Sequence, residues 1–479
     1  MSKEMTPPKV LFCQFDSLEY YSYMILSAKL QESGIVHEVE IIEDDMAFCE
    51  KLAYQFFDYK IIGFFCANSD FERIMRLSRK IKSVFQDRLI VLGGPHPTLN
   101  PETIDFGIID FVCIGAGEFH FARWVSEGHW NIRENYKNMA CDLSKPYEVL
   151  FVADLDKSPK PNRDVYYKKY DFMKNMGMRR FLFSSGCPYS CTYCHNVNFR
   201  TKFKDCYPRG VLFKNPAMAI AEMKETLEKY PSDGIAFLDD NFCINKKWLF
   251  EFLDLYHKNI HRPFNMFSSI NTLTDEVIER LCDSGLKILR VAMETTNEDI
   301  RTRILNRPKY SNEKFAEVAK KLNKHGIRVI MLNMFCLPGQ TLADCVEAFR
   351  FAKKNGVLMY ISILVPFKGT EICRHCIDND LLIDPDVTQE MLGKPSLKGE
   401  EMERMVTLQN FSFLLNHLNI FISPVLFLSR YKWFREFAYR YISPINLVLM
   451  HLPIYLGLFS LKKYITLGIR NYRTVKRKQ

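Results

Sequence analysis

Short apolar runs, many of them β-branched, alternate with helical patterns through most of this 479-residue chain. No other feature constrains the fold as much. Strands separated by a helix's length of chain do not pair as hairpins; they pair in parallel, with the helices laid over the sheet. The first series is K-V-L-F-C (9–13), H-E-V-E-I-I (37–42), I-I-G-F-F-C (61–66), L-I-V-L-G-G (89–94) and D-F-V-C-I-G (110–115). Between them lie patterns such as F-E-R-I-M-R-L-S-R-K-I-K (71–82). This predicts a doubly wound α/β domain over residues 1–130. Ligands of such sheets sit beyond the carboxyl ends of the strands. A-N-S-D (67–70), G-G-P-H-P-T (93–98) and G-A-G-E (115–118) fall there.

Residues 131–178, with Pro146, Pro159 and Pro161, read as a linker. A second βα series follows over 179–375. Its strands are R-F-L-F-S-S (180–185), G-I-A-F-L (234–238), F-N-M-F-S-S (264–269), K-I-L-R-V-A-M-E (287–294), I-R-V-I-M-L-N-M-F (327–335) and Y-I-S-I-L-V (360–365). Six units are too few for a closed eight-fold barrel, so a partial (β/α)6, TIM-like barrel is expected. Residues 376–479 form a helical, apolar and basic C-terminal region. From Arg404 onward the sequence holds twelve Lys or Arg and one acid, Glu436. The whole chain carries only +9, so the basic charge belongs to this end and the body shows no basic face.

The loop after the first strand of the second series reads S-S-G-C-P-Y-S-C-T-Y-C-H (184–195). Fifteen cysteines in a large chain with no apolar signal core at its start point to free thiols in a reducing, cytoplasmic compartment. Three thiolates spaced C-x3-C-x2-C can reach one metal centre. A structural zinc wants a fourth ligand, which His195 would have to supply. A [4Fe–4S] cluster held by Cys187, Cys191 and Cys194 would keep one iron open to a small molecule.

Residues 180–375 resemble the radical S-adenosylmethionine (SAM) superfamily. The resemblance makes the three cysteines cluster ligands, with the open iron binding the amino and carboxylate groups of SAM. An electron from the cluster then cleaves SAM to methionine and a 5′-deoxyadenosyl radical. F-L-D-D-N-F (237–242) sits where the family holds SAM's amino end, which makes Asp239 and Asp240 SAM-binding candidates. V-A-M-E-T-T (291–296) is similar to the family's strand ending in Glu-Ser, so Glu294 is the candidate for the SAM ribose. Tyr193 and Asn333 complete the SAM-binding set. C-L-P-G-Q-T (336–341) resembles a Gly-Leu-Pro-Gly-Glu-Thr stretch, and P-F-K-G-T-E (366–371) a Pro-x-x-Gly-Thr segment. Ser269 stands where many relatives carry Arg.

Beside that resemblance, residues 1–130 are similar to the flavodoxin-like cobalamin-binding domain found with this family. G-G-P-H-P-T and I-G-A-G-E match its Gly-Gly-x-His-x-Thr and Gly-Glu-Gly-Glu segments, with Ala116 replacing a glutamate. The cobalamin-binding candidates are Asn68, Ser69, Gly93, Gly94, His96, Thr98, Gly115, Gly117 and Glu118. The Asp-x-His-x-x-Gly motif that supplies an axial histidine in mutases is absent; Q-F-D-S-L-E-Y-Y (14–21) occupies that region.

The C-terminal stretches 411–429 and 441–461 carry no charge, but Asn416, Asn419, Pro424, Pro444, Asn446 and Pro453 break them. Spanning a bilayer would strand these polar groups. Two readings remain. In one, 411–479 lies in a membrane interface, which would put the protein peripherally on the cytoplasmic membrane face. In the other, it is a helical cap on the barrel. The expected function is cobalamin-dependent methyl transfer to an unactivated carbon of an apolar or lipid-like substrate, with an external electron donor. The alternatives are cyclisation, oxidation or rearrangement on the same cofactors, and a non-catalytic cobalamin or metal sensor. Nucleic acid is not an expected partner. The sequence names no catalytic acid, base or substrate contact.

Overall fold

The computed structural model describes residues 7–128, 130, 151–205, 207–384, 394–446 and 449–450. The chain divides into two compact units near Asn175, with residues 198–209 grouping with the first.

The first unit is a five-stranded parallel sheet of β1 (Lys9–Gln14), β2 (His37–Ile41), β3 (Tyr59–Phe65), β4 (Leu89–Gly93) and β5 (Phe111–Cys113), in the order β2-β1-β3-β4-β5. The winding reverses at β1, as in flavodoxin-like folds, and opens a crevice at the carboxyl ends of β1 and β3. Helices α1 (Tyr21–Glu32), α2 (Asp45–Tyr54), α3 (Phe71–Val84), α4 (Pro95–Leu99) and α5 (Gly117–Ser126) connect the strands. The local chemistry matches: Asp44 caps α2 by accepting from the N–H of Met46 and Ala47. Helix α3 buries Ile74, Met75, Leu77 and Ile81 and turns Arg76 and Arg79 outward.

Part of the segment read as a linker lies in residues 131–150, outside the described residues. From Phe151 onward it folds onto this unit. The hydroxyls of Tyr166 and Tyr167 donate to Gln14 and Glu19, and the Asn162 N–H donates to Met24 O at 2.9 Å.

The second unit holds a six-stranded parallel sheet of β6 (Met178–Phe181), β9 (Gly234–Phe237), β10 (Phe264–Ser268), β11 (Leu286–Glu294), β12 (Arg328–Phe335) and β13 (Leu358–Ile363). A two-stranded ribbon, β7 (Ser184–Ser185) with β8 (Leu212–Phe213), lies beside it. The main sheet runs β13-β12-β11-β10-β9-β6 without reversal, and its end strands β13 and β6 do not pair. Each new strand adds on one side, so right-handed crossovers put every helix on one face and curl the sheet into an open barrel. Strand parity follows. Phe181, Phe264, Met266, Leu289, Val291, Val329 and Met331 face the helices in the large core. Met178, Ala236, Ile288 and Ile330 form a small apolar cluster on the opposite, concave face.

The described part of the C-terminal region takes the cap form. The helix Glu400–Asn410 buries Met405, Val406 and Leu408 in the barrel core, and Leu415, Ile422, Val425 and Phe434 join them. No helix among the described residues is long and apolar enough to cross a membrane.

Candidate cofactor sites

In the first unit, a cavity of about 210 Å3 opens beside the sheet at the carboxyl ends of β1, β3, β4 and β5. Gly93, Gly94, Gly115, Gly117 and Glu118 line it, together with Phe12, Tyr23, Leu26, Phe65 and Phe121. The cradle depends on absent side chains. Gly94 has φ +101, and a Cβ there would meet Cys66 O at 3.0 Å and Cys66 N at 3.1 Å. A Cβ on Gly117 would meet Cys113 Sγ at 3.0 Å and Leu26 Cδ2 at 3.3 Å. Bare backbone with φ > 0, ringed by aromatics, suits a bulky, partly flat ligand such as cobalamin with its nucleotide tail.

The remaining cobalamin candidates do not line this cavity. His96 is fully buried and stacked on Phe71 at 4.0 Å between ring centroids. Its Nδ1 pairs with Asn68 Oδ1 at 2.8 Å and its Nε2 with Thr103 Oγ1 at 2.9 Å, so neither nitrogen is available to a ligand. Thr98 Oγ1 donates to Gly94 O at 2.7 Å and accepts from the Gly115 N–H at 3.0 Å. Thr98 therefore shapes the glycine loop from behind, as Asn68 fixes His96. Ser69 is half-buried on the turn Asn68–Asp70, off the cavity wall. Sequence reading missed Tyr23, whose hydroxyl donates to Cys13 O and accepts from the Phe65 N–H, each at 2.6 Å, tying β1 to β3 at the cavity.

In the second unit, Cys187, Cys191 and Cys194 lie on one loop after β7, entered through Gly186 at φ +90. The loop is pinned. Thr192 donates from its N–H to Leu305 O at 3.1 Å and from Oγ1 to Ile304 O at 2.7 Å, and Asn306 Nδ2 donates to Ser190 O at 3.0 Å. The thiols feel one another. Cys194 is pushed up to about 11, by burial first and then by Cys191, Asp240 and Cys187; Cys187 is raised for the same reasons. Among the described residues no three His, Cys, Asp or Glu side chains converge on one point as a single ion requires. A cube differs: each iron takes its own thiolate, so three sulfurs must surround it. The donor set and the one-loop arrangement fit that group. The His195 ring stacks on Phe367 at 4.8 Å.

Three of the SAM candidates gather with the loop. Glu294 ends β11 in a left-handed conformation, φ +69, where a β-bulge shifts the β11–β12 register. Its Oε1 accepts from Tyr193 OH at 2.6 Å. Arg307 joins them: Nη1 lies 3.9 Å from Glu294 Oε1, 3.4 Å from Tyr193 OH and 3.6 Å from Cys191 Sγ. Sequence reading missed Arg307, which no motif flags. Burial raises the Glu294 carboxyl, and Arg307 and Tyr193 partly offset that. Asp240 is exposed beside the loop, and Asn196 Nδ2 donates to it at 2.7 Å. Asn333 pairs in register with Glu294 and is buried with both amide atoms unpartnered. Ser269 Oγ and Asn241 Nδ2 are also buried and unpartnered. Such atoms at the carboxyl end of a barrel are normally satisfied by protein, water or ligand.

Asp239 does something else. It is fully buried, and its Oδ1 accepts from the Phe183 N–H at 3.0 Å and from Ser184 Oγ at 2.5 Å, anchoring the chain that enters the cysteine loop. Burial lifts its carboxyl from 3.8 to about 6 despite those bonds. A raised folded-state value means the protonated form stabilises the fold. That contribution is full below pH 4 and is lost as pH rises through about 6, on the order of 3 kcal/mol. Melting curves of the apo-protein should therefore show Asp239→Asn gaining on the wild type between pH 4 and 7. A difference independent of pH would refute the assignment.

Comparison with known proteins finds a family match in each unit. The Radical SAM superfamily matches residues 181–352 and the B12 binding domain residues 22–124. Bacteriochlorophyllide d C-8(2)-methyltransferase of Chlorobaculum tepidum is 24% identical over 353 residues, covering 73% of this chain and 75% of that one. An uncharacterized methyltransferase of Pyrococcus horikoshii is 23% identical over 400 residues, covering 79% and 84%. The solved radical SAM methyltransferase TsrM of Kitasatospora setae shares the fold, with a TM-score of 0.58 at 14% identity, over 78% of this chain and 76% of that one. With a B12-binding domain followed by a radical SAM barrel, the chain belongs to the cobalamin-dependent radical SAM enzymes, whose cofactors are a [4Fe–4S] cluster, SAM and cobalamin.

Proposed function

We propose that this enzyme transfers a methyl group to an unactivated carbon of a small, largely apolar molecule. The observation that carries the reading is the pairing, in one chain, of a glycine-walled cavity in the B12-binding domain with a three-cysteine loop backed by a carboxylate–tyrosine–arginine network. That the relatives above are named methyltransferases supports it.

When bound, the cofactors would supply a carbon radical and a transferable methyl group. The chain's own residues bind and orient. Cys187, Cys191 and Cys194 would hold three irons. Asp240, beside them, would take SAM's ammonium, while Asp239 fixes the loop. Glu294 would accept from the ribose hydroxyls, its orientation set by Tyr193 and Arg307. Asn333 and Ser269 bring buried amide and hydroxyl groups to the same end of the barrel. Gly93, Gly94, Gly115, Gly117 and Glu118 would receive cobalamin. The apolar concave floor of Met178, Ala236, Ile288 and Ile330 would exclude water from the reacting carbon and suits an apolar substrate.

The test is turnover with SAM deuterated at its methyl group, in cell extract under strict anaerobiosis with a low-potential reductant. A product carrying one deuterated methyl, formed together with 5′-deoxyadenosine, is expected. Sustained 5′-deoxyadenosine with a product of unchanged carbon count would replace this reading by cyclisation, oxidation or rearrangement.

A further inference from the structure

We propose that the outward face of residues 418–445 docks on the surface of an anionic phospholipid bilayer. The inference stands apart from the methyl-transfer reading. Half of the exposed large apolar side chains among the described residues fall in this one stretch. Ile420 is 76% exposed, Trp433 61%, Tyr441 55% and Phe427 53%. A stable fold scatters such groups; it does not concentrate them unless they meet something.

The geometry makes them one surface. Short helices Ile422–Leu428 and Lys432–Phe437 turn Val425 and Phe434 into the barrel core, which leaves Phe427, Trp433 and Phe437 on the other side. Ring contacts run from Trp433 through Phe434 and Phe437 to Tyr441, at 5.6, 6.3 and 5.5 Å. Phe427 and Tyr431 form an adjoining pair at 6.0 Å.

The occupant follows from charge and side-chain type. Exposed Arg430, Lys432 and Arg440 rim the patch. Glu436 is the only acid in the stretch, and it lies 4.0 Å from Lys432. In sequence, residues 451–479 add seven Lys or Arg and no acid. Tryptophan and tyrosine with basic neighbours are the residues that settle at the headgroup level, apolar body inward and polar tip in water. A second copy of the chain fits poorly, because a two-fold contact through this patch would bring like-charged rims together. Among the described residues no helix is long and apolar enough to cross a bilayer, and the proposed contact is a superficial one.

The test is co-sedimentation of the full-length, cluster-loaded protein with phosphatidylglycerol–phosphatidylcholine vesicles and with pure phosphatidylcholine. Binding to the anionic vesicles is expected, weakening as salt rises. The double variant Trp433→Glu, Phe437→Glu should lose about tenfold or more of that binding, yet fold normally and cleave SAM with a soluble reductant as the wild type does. A blue shift of tryptophan emission on adding vesicles, absent in Trp433→Phe, would place that ring in the lipid. Three outcomes would overturn the proposal. The first is no binding to anionic vesicles. The second is a concentration-dependent dimer abolished by the double variant while vesicle binding persists. The third is anionic-vesicle binding that the double variant leaves unchanged, which would place the contact elsewhere on the chain.

Discussion

Replacing Cys187, Cys191 and Cys194 by alanine is expected to remove the iron–sulfur absorption of the reconstituted enzyme and bring 5′-deoxyadenosine down to the blank. Each thiolate would hold a different iron, so no protein ligand is redundant, and each single variant should fail in turnover. The fold should survive. The loop is held by bonds that bypass the sulfurs: Thr192 to Ile304 and Leu305, Asn306 to Ser190, and Asp239 to Phe183 and Ser184. Cys243 provides the control. It is buried in the barrel core and pushed up to about 12 by burial, an inert thiol that is not part of the loop. Cys243→Ala should keep its cluster and lose only packing, about 1 kcal/mol. The readouts are iron content, visible absorption and 5′-deoxyadenosine by mass spectrometry. Normal cluster content in the triple variant would end the assignment of this loop. Loss of the cluster in Cys243→Ala as well would show that the assay reports general instability.

The sequence made the two sheets readable because their strands are buried on both faces and so appear as unbroken apolar runs; β4, Leu89–Gly93, is an example. The cysteine loop was readable because metal ligation needs particular residue types at short spacing. What escaped depends on contacts distant in sequence. Arg307 reaches Glu294, Tyr193 and Cys191 only after β11 and the turn Ile300–Ile304 bring them together. Tyr166 and Tyr167 reach Gln14 and Glu19 across roughly 150 residues, which turns a proline-punctuated segment into part of the first unit. His96 fails in the opposite direction. Its loop motif suggests a ligand contact, but an imidazole bonded at both nitrogens and stacked on Phe71 serves the core. Asp239 and Asp240, adjacent in sequence, separate by burial: one anchors the chain and the other faces the cysteines.

Gly117→Leu should divide the two halves of the chemistry. Gly117 opens α5 and lines the cavity proposed to receive cobalamin. Its added Cβ would press on the Cys113 sulfur and a Leu26 methyl, ends of side chains that can give by a few tenths of an ångström. Leucine is also a better helix former than glycine. The variant should therefore fold with its groove plugged. Gly94 is the unsuitable choice, since φ +101 and the backbone of Cys66 would strain any side chain there. For Gly117→Leu, cobalamin retained after gel filtration should fall to near zero, an affinity loss of about 100-fold, or about 2.7 kcal/mol. The proposed cluster and SAM sites lie in the other unit and should load normally. 5′-Deoxyadenosine should still form while the deuterated methyl no longer reaches product. Glu118→Ala, whose carboxylate accepts from Ser158 Oγ at 3.3 Å, should weaken cobalamin binding far less. Full cobalamin loading of Gly117→Leu with methyl transfer intact would move the cofactor's site off this cavity, whereas loss of methyl transfer alone, with cobalamin bound, would mean that the cavity positions the cofactor without determining its affinity.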